Sequence, residues 1–83
     1  MTTKIVRVII AQQNEAVRSA LKYAVELVDS CEVVAEAPCG LKAMDVIQNT
    51  PADLILLDAR LAPISGLEIL RAVRPKITLF SRI

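Results

Sequence analysis

Asp58 stands at the end of the most apolar run of the chain, Ala52-Asp53-Leu54-Ile55-Leu56-Leu57. A carboxylate there can act as a nucleophile or as a hard oxygen ligand for a cation. It can equally be an ordinary Asp that caps the loop leaving a strand, and position alone keeps both readings open. Few other side chains offer chemistry. The sequence has no His, which removes the commonest metal ligand and the commonest general base. Cys31 and Cys39 form no Cys-x-x-Cys pair and read as small, partly apolar side chains rather than a bridge or a metal site. Gln12 and Gln13 follow an early apolar run and carry amide oxygens but no charge. Ser81 follows a late apolar run and offers one hydroxyl. Arg71, Arg74, Lys76 and Arg82 form a loose basic cluster that reads as a solvated helix end.

These residues need elements to hold them. Ile5–Ala11 is β-branched and nearly continuous, as suits a strand covered on both faces of a parallel sheet. The period then changes. Val17, Ala20, Leu21, Ala24 and Val28 fall on one helical face, with Asn14 as cap, Glu15 in the first turn and Asp29-Ser30 as the stop. Cys31–Ala37 is a second strand, stopped by Pro38. Gly40 to about Asn49 is a second helix burying Ala43, Met44 and Ile47, and Pro51 follows its end. The run 52–57 is a third strand. Ser65-Gly66-Leu67-Glu68 is a capping box opening a third helix to about Val73, which Pro75 closes. Ile77–Phe80 is a fourth strand. The order β-α-β-α-β-α-β predicts a parallel sheet with right-handed crossovers. Ligand chemistry in such sheets gathers at the carboxyl ends of the strands. Here those ends carry Gln12-Gln13, Asp58 and Ser81.

The 83 residues make one domain or part of one. Hydrophobic residues are 54% of the chain, which argues against disorder, and with only Tyr23 and Phe80 as aromatics the core must be aliphatic. A net charge of +1 with mixed signs gives no footprint for nucleic acid or an anionic membrane. No apolar run reaches the roughly 18 residues that span a bilayer, and no signal-peptide pattern opens the chain, so a cytoplasmic protein is expected. The turn Ala11-Gln12-Gln13-Asn14 has no Gly, which excludes a dinucleotide fingerprint and a P-loop.

The segment Asp53–Gly66, DLILLDARLAPISG, resembles the receiver domain of two-component response regulators. In that family the third strand ends in a phospho-accepting Asp, and a Pro-containing loop leads to a Gly at the next helix. Asp58, Pro63 and Gly66 fall in register. Val33–Gly40, VVAEAPCG, looks like the second-strand segment of regulators of the NarL/LuxR type, and Ile77–Ser81, ITLFS, looks like the fourth strand with its switch hydroxyl. The resemblance runs from Lys4 to Ser81.

The resemblance implies a flavodoxin-like (CheY-like) three-layer α/β/α fold with strand order 2-1-3-4. The fifth strand and last helices would be missing, leaving 1–83 as a single receiver-like domain incomplete at its C-terminus. It implies Asp58 as phospho-acceptor, Ser81 as switch hydroxyl and a sensor histidine kinase as partner, with an output such as transcription. For magnesium it implies Asp58, the Arg60 backbone carbonyl and the acidic-pair position, here Gln13. Because Gln12 and Gln13 replace the family's acidic pair, magnesium binding is expected to be weak. The chain itself is not expected to be an enzyme. The rival reading is a phosphorylation-independent pseudo-receiver serving as an interaction or dimerisation module. An uncovered fourth strand is a template for pairing, so a homo-oligomer is expected through the exposed sheet edge.

Overall fold

The computed structural model describes residues 4–73 and the backbone of 77–80. Seven elements alternate: β1 (Val6–Ala11), α1 (Glu15–Glu26), β2 (Cys31–Ala37), α2 (Gly40–Asn49), β3 (Leu54–Asp58), α3 (Gly66–Ala72) and β4 (Ile77–Phe80). The strands form one four-stranded sheet in the order β2-β1-β3-β4, and every pairing is parallel. This is the expected order. Several boundaries move by a few residues: β3 starts at Leu54 and includes Asp58, and α1 ends at Glu26, before a turn that contains Asp29 and Ser30.

The central strand β1 buries its last four residues, Val8 to Ala11. Successive side chains of a strand point to opposite faces. Ile9 and Ala11 join Ala37, Ala43, Ile55, Leu57, Leu61 and Ile69 in one aliphatic cluster on the side of α2 and α3. Met44 and Ile47 of α2 pack against that cluster while staying half-buried. Val8 and Ile10 face the other side, where α1 lies against β1 and β2.

The helix expected after Asn14 forms, but its apolar face is only shallowly covered. The helix contains no buried residue: Val17 and Leu21 are half-buried, whereas Ala20, Ala24 and Val28 are exposed. Among the described residues its main contacts are with β1 and β2, and a helix resting on two strands buries one narrow line of its apolar stripe. Arg18 and Lys22 tie it to β2 instead, pairing with Glu36 at 3.6 and 3.2 Å.

Candidate functional site around Asp58

The carboxyl ends of β1 and β3 lie side by side, since Ala11 pairs with Leu57. The next residue on each, Gln12 and Asp58, is therefore carried to the same edge of the sheet. Together with Gln13, Asn14 and Arg60 they line an open cleft of about 440 Å³. Asp58 is only 5% exposed, and its Oδ1 accepts a hydrogen bond from the Arg60 main-chain N–H at 3.0 Å. Among the described residues that N–H is its one hydrogen-bond partner, and no cation pairs with it. The carboxylate thus keeps acceptor capacity facing the cleft.

The loop after Asp58 is held by its backbone. Leu61 N–H donates to the Asp58 carbonyl at 3.3 Å, and Gly66 N–H to the Ala59 carbonyl at 3.1 Å. Gly66 opens α3 directly against this loop, so closely that a Cβ there would overlap the Asp58 carbonyl oxygen and come within 2.7 Å of the Ala59 Cα. Gly40 does the same against the main chain of Ile64, and its N–H donates to the Ala62 carbonyl at 3.0 Å. The capping box forms as expected: Glu68 N–H donates to Ser65 Oγ at 3.1 Å and Ser65 N–H to Glu68 Oε1 at 2.9 Å. Two glycines and one cap thereby fix where Asp58 sits.

The opposite wall is the turn after β1. Gln12 is 4% exposed, its Oε1 accepts from Asn14 N–H at 3.0 Å, and its main-chain carbonyl accepts from Arg18 Nη1 at 2.8 Å. Asn14 caps α1 as expected, its Oδ1 accepting from Val17 N–H at 3.0 Å. Gln13 is exposed at the rim. Sequence reasoning placed Gln12 as a plain polar strand end; it is instead a buried latch on its own turn. Arg18 went unnoticed, because its reach back to Gln12 spans helix and turn and follows no local spacing. The Arg60 side chain is exposed and lines the cleft. Ser81 lies outside the described residues.

Among the described residues no group of three or more His, Cys, Asp or Glu could hold a metal ion. Magnesium favours carboxylate oxygens, and the cleft offers one carboxylate beside amide and main-chain oxygens. Of the three side-chain amide oxygens lining it, that of Gln12 is already engaged by Asn14 N–H and that of Asn14 by Val17 N–H. This donor set does not fit a tightly held magnesium ion.

The sequence matches the model of the response regulator receiver domain over residues 8–80. The chain belongs to the response-regulator receiver family. It is 37% identical over 68 residues to the nitrate/nitrite response regulator protein NarP of Escherichia coli, covering 82% of this chain and 32% of that protein. It is 34% identical over 65 residues to the transcriptional regulatory protein YhcZ of Bacillus subtilis, covering 78% of this chain and 30% of the relative. The signal receiver domain of the response regulator NarL from Mycobacterium tuberculosis superimposes with a TM-score of 0.85 at 28% identity, covering 94% of this chain and 65% of that one. The chain therefore spans about a third of its curated relatives and about two thirds of that receiver structure. The receiver fold expected from Asp53–Gly66 is the fold found, and this is a receiver domain of two-component response regulators.

Proposed function

We propose that this receiver takes a phosphoryl group on Asp58 from a sensor histidine kinase and thereby controls an output such as transcription. The observation that carries the reading is the placement of Asp58: buried at the end of β3, on an open cleft, its carboxylate with one hydrogen bond and no ion pair among the described residues. A carboxylate so held is a nucleophile whose approach is geometrically defined. Family membership and the regulator names of the relatives support the kinase partner and the output. Ser81 would contribute the switch hydroxyl, and magnesium would bind weakly at Asp58, the Arg60 carbonyl and Gln13. The chain acts as an acceptor in the cytoplasm, and not as an enzyme or a nucleic-acid binder. No helix among the described residues is long and apolar enough to cross a membrane.

A second copy is proposed as a further partner, through the exposed sheet edge at β4. Among the described residues β4 has a strand neighbour on one side only. Sedimentation equilibrium at low micromolar concentration should return a dimer mass, and a monomer throughout would remove this part. Phosphorylation is tested by incubating the protein with a small phospho-donor and reading intact mass. One added phosphoryl group that is absent in Asp58→Asn supports the reading; equal gain in both proteins refutes it.

A further inference from the structure

The cleft has an uncommitted anion and an uncommitted cation but lacks the donors for a tight divalent ion. Phosphoryl transfer to a carboxylate brings two anions together, so positive charge must meet the developing phosphoryl oxygens. Basic side chains around this end of the sheet are mostly paired: Lys42 of α2 pairs with Asp45. Arg18 is tied to Gln12 and Glu36, and Lys22 is tied to Glu36. Arg60 is the one cationic side chain among the residues lining the cleft, and its guanidinium has no ion-pair or hydrogen-bond partner among the described residues. It does not pair with Asp58, although its own main-chain N–H holds that carboxylate at 3.0 Å.

We propose that the Arg60 guanidinium supplies the charge that a divalent cation would otherwise supply, so that phosphorylation of Asp58 proceeds without magnesium. The proposal rests on the reading of Asp58 as acceptor. A guanidinium presents paired N–H donors that match two phosphoryl oxygens, and it remains charged at every working pH. With phosphoramidate as donor, an Asp58 carboxylate oxygen forms a bond to phosphorus while the P–N bond breaks. The nitrogen, already carrying three protons, leaves as ammonia with the bonding pair. Arg60 gives no proton; its N–H groups bind the oxygens in flight. Because those oxygens are contacted, Arg60 is a catalytic residue for this step.

The test compares initial rates of mass gain with phosphoramidate, in EDTA and in magnesium chloride, for the wild type, Arg60→Met and Arg60→Lys. Arg60 is exposed, so matching thermal melts establish that the variants fold. The expected result is a wild-type rate that is nearly the same in both buffers. In EDTA, Arg60→Met should be slower on the order of a hundredfold or more, as for loss of one charge-stabilising donor, with Arg60→Lys in between. A wild type that gains mass only with magnesium overturns this inference and leaves Asp58 as acceptor. An Arg60→Met variant as fast as wild type in EDTA overturns it too. No gain in either buffer overturns the acceptor reading as well.

Discussion

Replacing Gly66 by Ala separates two effects of opposite sign. Gly66 is the first residue of α3 and has no positive φ, so helix propensity alone makes Ala the better residue by about 0.5–1 kcal/mol. Packing says the reverse. The new Cβ would overlap the Asp58 carbonyl oxygen and lie 2.7 Å from the Ala59 Cα, both of them main-chain atoms. No flexible side chain can yield, so either α3 or the Asp58 loop must shift. Insertions of this kind into packed sites cost about 1–3 kcal/mol, which outweighs the propensity gain. In a domain of this size 1 kcal/mol moves the melting temperature by about 4–8 °C, so a fall of about 5–15 °C is expected. Far-ultraviolet circular dichroism at fixed protein concentration reads it. A variant that melts at or above the wild type would show that α3 does not press on the Asp58 loop, and the account of how Asp58 is positioned would fail.

Other outcomes follow from the same contacts. Ser65→Ala removes the side-chain half of the capping box and should lower stability by about 1 kcal/mol by urea titration. Ile69→Ala empties a site in the cluster shared by β1, β3 and α2, where Ile69 is fully buried, and should cost about 2–5 kcal/mol in the same assay. Gln13→Asp adds a second carboxylate at the exposed rim of the cleft, and magnesium titration followed by the backbone amide chemical shifts at positions 13 and 60 should then saturate at lower concentration than in the wild type.

The strands and helices were legible because burial on one or both faces leaves a period in the sequence. The run at 54–58, the cap at Ser65 and the Asn14 cap read directly, since each depends on neighbours within three or four positions. Asp58 was legible for the same reason: it ends the most apolar strand of a parallel sheet. The burial of α1 was not. Periodicity marks an apolar stripe but carries no information on how much of it another element covers, and Ala20 and Ala24 remain exposed. Gln12 and Arg18 were read too simply or passed over because long polar side chains act through tertiary reach. Gln12 is buried by folding back on Asn14, and Arg18 contacts it from a helix that first had to dock on β2.

The central claim is that Asp58 carries the phosphoryl group, and locating the group tests it most directly. An acyl phosphate is reduced by borohydride to an alcohol, which marks the modified residue for peptide mass spectrometry. After treatment with a small phospho-donor, the account predicts the mark on residue 58 alone, in the peptide that ends β3. A mark on any other carboxylate, or none on residue 58 in protein that has gained a phosphoryl group, would contradict it.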